Sequence, residues 1–143
     1  MNLTSPEFAQ NGMIPKKFTC QGEDINPTLE ISEIPEDAVS LVLINDDPDA
    51  PGKTWDHWIV FNIHPTEIIE ENSIPGIQGK NSWGKNEYGG PCPPSGTHRY
   101  FFKLYALDTK LNLKEGASKL KVETAMEDYI LDQATLIGVY KKE

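Results

Sequence analysis

The sequence predicts a mainly β fold in a single domain spanning residues 1–143, and three observations carry that expectation. Apolar runs of β-forming residues recur at Val39–Asp47, Asp56–Ile63 and His98–Leu107. Clusters of Gly, Pro, Asn and Asp separate them. Only one segment, Ser118–Ile130, places apolar residues at helical spacing. A chain of 143 residues can bury one hydrophobic core but not two.

Taken in order, residues 1–16 mix polar residues with Pro6, Gly12 and Pro15, and are expected to run along the surface into a short strand at Lys17–Cys20. A turn over Gln21–Pro27 leads to a strand at Thr28–Ser32, and Ile34–Asp37 turns again. Val39–Asp47 is the strongest strand and is expected at the centre, because its apolar run is nearly continuous. Alternation sets Val39, Leu41, Leu43, Asn45 and Asp47 on one of its faces. Pro48, Pro51 and Gly52 then force a turn. Asp56–Ile63 returns with His57, Ile59, Phe61 and Ile63 on one face and Trp58, Val60 and Asn62 on the other. If these two strands pair antiparallel, Asp47 and His57 emerge at the same end of the sheet.

Glu67–Gly90 is rich in Gly and Pro and reads as a long connection, of the kind that is functional or crosses over in a Greek key. His98–Leu107 aligns His98, Tyr100, Phe102, Leu104 and Ala106 on one face. Ser118 is placed to cap the helix expected over Ser118–Ile130, with Leu120, Val122, Met126 and Ile130 as its apolar stripe. Ala134–Tyr140 supplies the last strand.

Thirteen Lys and Arg against twenty-two Asp and Glu give a net charge of −9, which disfavours nucleic acid as a partner. No apolar run approaches the roughly 18 residues of a transmembrane segment. The N-terminus carries neither a basic stretch nor an apolar core of the secretory kind, so a cytoplasmic location is expected. Cys20 and Cys92 are too few for a disulfide framework and lack zinc-site spacing. They are expected as free thiols, with a bridge as the alternative.

The stretch Gly89–Tyr100 combines three prolines with three glycines and delivers His98 to the mouth of a strand. With Asp47 and His57 at two other strand ends, and Tyr100 one pleat inward from His98, an ionisable cluster takes shape. Two imidazoles and a phenol can donate to a phosphate or carboxylate while Asp47 orients a ring or meets a cationic group. The same set could instead ligate a metal or supply a general base to water or Cys92. Singly, each residue also has an ordinary structural role, as turn cap, strand end or core. Asp49 reads as an Asx-turn residue, Arg99 as the partner of a carboxylate on the opposite face, and His64 as solvated. Trp55 and Trp58 flank His57 and could wall a pocket.

Asp47-Pro48-Asp49-Ala50-Pro51, Trp55-Asp56-His57 and Gly90-Pro91-Cys92-Pro93-Pro94-Ser95-Gly96-Thr97-His98-Arg99-Tyr100 together resemble the signature of the phosphatidylethanolamine-binding proteins, also called Raf kinase inhibitor proteins. Phe18-Thr19-Cys20 and Leu136-Ile137-Gly138-Val139-Tyr140 extend the resemblance across nearly the whole chain, to the short prokaryotic branch. The resemblance implies a Greek-key β-sandwich with one short helix near the C-terminal end. It implies a small-anion pocket for phosphate or a phosphoethanolamine-like head group, with Asp47, His57, His98 and Tyr100 at pocket positions and Pro51, Trp55, Gly90 and Pro91 in its walls. It further implies a cis bond before Pro51, a non-enzymatic role without cofactor or bound metal, a homodimer, and a protein partner such as a kinase or protease. A hydrolase or metal-dependent enzyme built on Asp47, His57 and His98 is the alternative. Two departures stand out: no helix follows the last strand to border the pocket, so Raf-like kinase inhibition is not carried over, and the acid at Asp56 is expected to weaken binding of a dianion.

Overall fold

A computed structural model describes all residues, Met1 to Glu143. Nine strands and one α-helix form: β1 (Asn2–Thr4), β2 (Gly12–Met13), β3 (Leu29–Ser32), β4 (Ser40–Asp47), β5 (Trp55–Ile63), β6 (Ile68–Ile69), β7 (Ile77–Gln78), β8 (His98–Leu107), α1 (Lys119–Met126) and β9 (Ile130–Tyr140). They make a three-stranded sheet in the order β1-β3-β6 and a six-stranded sheet in the order β2-β9-β8-β4-β5-β7. Every pairing is antiparallel except β2 with β9. After β4, β5 and β7 the chain crosses back through a long connection to lay β8 beside β4, which is a Greek key.

The two sheets pack face to face over one core. Leu3, Leu29, Ile31 and Ile69 of the small sheet meet Leu41, Leu43, Trp58, Val60, Phe102 and Leu104 of the large one. A second cluster covers the opposite face of the large sheet, where Val42, Ile44, Ile59 and Phe61 pack against Val122 and Met126 of α1 and against Leu111. This double coverage explains why all eight residues of β4 are buried and why its sequence lacks a polar face.

Several elements differ from the sequence reading. Lys17–Cys20 is not a strand: Lys16–Phe18 forms a short 3-10 helix after Pro15, a single turn that buries Phe18 without needing a partner strand. The helix stops at Met126, because only Val122 and Met126 of the expected stripe are buried within it; Leu120 remains 73% exposed and Ile130 pairs with Leu107 as the start of β9. Ser118 does cap it, accepting from Lys121 N. The peptide before Pro51 is trans, since no cis bond occurs in the chain. The reversal there comes from Gly52 at φ +84° and from Asp47, whose carboxylate accepts from Asp49 N at 2.7 Å.

The two cysteines are joined as a Cys20–Cys92 disulfide, so the free-thiol expectation is corrected. A sequence separation of 72 gives no hint of this pairing. The fold lays the segment after Phe18 against the Gly89–Cys92 loop, where Cys20 N donates to Pro91 O at 3.1 Å.

The faces of β5 also differ from simple alternation. Asn45 pairs with Trp58 and Asp46 with Asp56, leaving His57 as the extra residue of a β-bulge. The bulge carries His57 to the side of Trp58 and Val60, away from Ile59 and Phe61. A second irregularity at Asn62, with φ 53°, returns Ile63 to the same side.

Candidate functional site

A cavity of about 520 Å³ opens at the end of the large sheet where β4 ends, β5 begins and β8 begins. Asp47, His57, His98 and Tyr100 all line it, as do Pro51, Trp55 and Gly90. Pro91 does not: it is buried behind the wall, its carbonyl taken by Cys20 N. Trp58 is part of the core, donating its indole N–H to Gln78 Oε1 at 2.8 Å, and His64 is exposed.

Each functional side chain is held by a named partner. His98 Nδ1 donates to Asp47 Oδ2 at 2.6 Å, with both side chains over nine-tenths buried. Asp47 is thereby fixed at both oxygens, Oδ1 by Asp49 N and Oδ2 by His98. His57 Nδ1 donates to Gly89 O at 2.7 Å while Gly89 N donates to His57 O at 3.0 Å. These bonds set the ring orientation and leave the Nε2 atom of each imidazole without a partner in the protein. The His57 ring sits edge-on to Tyr100 and to Trp83, with centroids 5.2 and 5.1 Å away. Burial pushes the His57 imidazole below its ordinary pKa, against the pull of the Gly89 carbonyl and the Asp47 charge.

Tyr100 is 1% exposed and its hydroxyl has no hydrogen-bond partner. Burial, with Asp47 adding to it, raises its pKa well above the ordinary phenol range, so the group is a proton donor at neutral pH. The nearby Cys92 backbone opposes this shift in part. A buried donor without an acceptor is costly unless something polar enters the cavity to meet it.

The walls require close approach. A Cβ on Gly90 would lie 2.3 Å from Phe18 O, and Gly90 N donates to Asp24 Oδ1 at 2.7 Å. The turn after β4 is clasped to β8 by Asp49, which accepts from Arg99 N, Nε and Nη2, each at 2.9 Å. This bond and the guanidinium charge lower the Asp49 pKa to about 2. Asp47 thus forms the Asx turn expected of Asp49 while also orienting the His98 ring, and Asp49 is the carboxylate that pairs with Arg99. Asp56 does not face the cavity; it points to the other side of the sheet, where Lys119 Nζ lies 2.8 Å away. Its charge is therefore directed away from the cavity and met by Lys119.

Sequence reasoning missed Trp83, Asp24 and the disulfide as parts of the site. The Gly89-Gly90 pair was the one available signal, since a Cβ on Gly89 would strike the Trp83 ring at 2.4 Å. No three His, Cys, Asp or Glu side chains converge in a metal-binding arrangement, and Cys92 is consumed by the disulfide. The arrangement left is two oriented imidazoles and one phenolic donor around a common space.

Residues 4–141 match the model of the family described as phosphatidylethanolamine-binding protein. A UPF0098 protein of Methanothermobacter thermautotrophicus is 50% identical, with 99% of each chain covered. A crystal structure described as a phosphatidylethanolamine-binding protein homologue from Chlamydia trachomatis superposes with a TM-score of 0.96 at 43% identity, covering 99% of this chain and 97% of its own. Escherichia coli YbcL, described as a member of the mammalian family, gives a TM-score of 0.91 at 28% identity, covering 99% and 98%.

Proposed function

The chain belongs to the phosphatidylethanolamine-binding protein family, and on that premise we propose that it is a non-enzymatic binding protein whose cavity takes a phosphate or a phosphoryl head group. The observation that carries this reading is the unpartnered, buried Tyr100 hydroxyl beside two imidazoles whose Nδ1 atoms are already committed. Phosphate oxygens are acceptors that three such donors can share. In the neutral ring Nε2 accepts, so His57 and His98 donate there only after taking a second proton. Binding of a full anion is accordingly coupled to proton uptake and tightens as pH falls through the imidazole range. A protonated phosphate oxygen can instead give its hydrogen to a neutral Nε2, which keeps some binding at higher pH.

The hydrolytic alternative has less support. The Asp47–His98 pair orients an imidazole, but the one thiol that it could activate is in the disulfide. Titration with phosphate and with phosphoethanolamine, following the imidazole resonances of His57 and His98, tests the proposal. Both rings shift in the wild type and the response is lost in His98→Ala; an absence of any shift refutes the reading. Turnover of a phosphoester substrate that disappears in His98→Ala would establish the hydrolase instead.

A further inference from the structure

We propose that the Cys20–Cys92 disulfide is a redox latch on this cavity, and that its reduction by a dithiol releases the Pro93–Pro94 wall and weakens anion binding. The inference rests on the anion-binding reading above. Both cysteines line the cavity, which puts the bond at its rim rather than in a core. Cys20 is exposed and Cys92 half-buried, which makes Cys20 the more open of the two to an attacking thiolate. Exposed disulfides of this kind are the ones that exchange, whereas core disulfides resist reduction.

The segment that the bond holds has no other polar tie. Residues 93–97 belong to no strand or helix and make no hydrogen bond to the rest of the protein. A Cβ on Gly96, at φ +67°, would meet nothing within 4 Å, and Pro94 to Thr97 are exposed. On the N-terminal side the loop stays anchored without the disulfide, through Gly89 with His57, Gly90 N with Asp24, and Pro91 O with Cys20 N. On the C-terminal side His98 is held by Asp47 and by β9. Breaking the bond therefore leaves the donors in place and frees the stretch between them, which contributes Pro93 and Pro94 to the wall.

The chemistry balances with a dithiol as reductant. One of its thiolates attacks Cys20 Sγ, the S–S bond breaks, and Cys92 leaves as a thiolate that takes up a proton. The second thiol of the reductant then displaces Cys20 from the mixed disulfide. Two electrons pass to the protein, which gains two thiols, and the reductant ends as its disulfide. An ordered wall binds better than one that must be ordered on binding, so the reduced form is expected to bind phosphate about tenfold more weakly.

The test compares phosphate affinity of the oxidised protein, the protein reduced with dithiothreitol, and Cys20→Ser/Cys92→Ser, with thiols counted by alkylation and mass spectrometry. Far-UV circular dichroism and the thermal transition report whether each form is folded. Support is weaker binding by the folded, reduced protein, matched by the double variant and restored on reoxidation, with faster amide exchange confined to residues 92–97. Equal phosphate affinity in the oxidised and reduced forms overturns the latch and leaves the anion reading standing. No phosphate binding by either form overturns both.

Discussion

Asp47→Asn changes one atom and reverses one hydrogen bond. In the native site Oδ1 accepts from Asp49 N at 2.7 Å and Oδ2 from His98 Nδ1 at 2.6 Å. Asn offers one acceptor, and the Asp49 N–H can only donate, so the amide oxygen stays with Asp49 and the NH₂ group turns to His98. His98 must then accept at Nδ1, which moves its proton to Nε2, the atom without a protein partner. The doubly protonated ring loses a charge-assisted hydrogen bond worth about 1.5–3 kcal/mol. At acidic pH, where that form binds the anion, phosphate affinity should fall about 10- to 150-fold. At higher pH the neutral ring now donates at Nε2, so the remaining affinity should depend less on pH than in the wild type. Calorimetric phosphate titrations across the imidazole range, with the His98 tautomer read from its nitrogen resonances, measure both effects. Wild-type affinity with an unchanged pH slope, or a His98 proton still on Nδ1, would refute the assignment.

Other outcomes follow from the same contacts. Burial lowers the His57 pKa, so between the folded value and the unfolded one of 6.5 the unfolded chain holds more protons, and stability falls as pH drops through that window. The loss is at most about 1.4 kcal/mol per pH unit, and urea midpoints at pH 7.5 and 5.5 should show phosphate offsetting it. Gly90→Ala forces a Cβ against the Phe18 carbonyl and the Asp24 carboxylate and should cost about 3 kcal/mol by denaturant unfolding. Gly52→Ala, at φ +84° but in open space, should cost only about 1 kcal/mol in the same assay. Arg99→Ala removes the two side-chain bonds of the clasp on Asp49, leaving the one from Arg99 N, and should speed amide exchange over Asp49–Lys53 while the main unfolding transition stays in place.

Much of the fold was legible because strand formation is local. The runs at Val39–Asp47, Asp56–Ile63 and His98–Leu107 became β4, β5 and β8, and the central position of β4 followed from its lack of a polar face. The helix was legible at its cap and overextended at its end, because Ile130 fits helical spacing but is taken by the longer-range pairing with Leu107. Among site residues, Asp47, His98 and Tyr100 could be placed from strand ends and alternation alone. His57 lines the cavity although simple alternation groups it with Ile59 and Phe61 on the other face, because a bulge depends on cross-strand register.

The sequence by itself therefore determined the longer strands β3, β4, β5, β8 and most of β9, which donor and acceptor types stand at their ends, and the family resemblance carried by two long motifs. Tertiary structure alone decided the parity of His57, the pairing of Cys20 with Cys92, the turning of Asp56 away from the cavity toward Lys119, and the recruitment of Trp83 and Asp24. The physical reason is range. Periodicity and turn chemistry act over a few residues, whereas contacts such as a disulfide across a sequence separation of 72 exist only once the sheets have packed and brought distant loops to one rim.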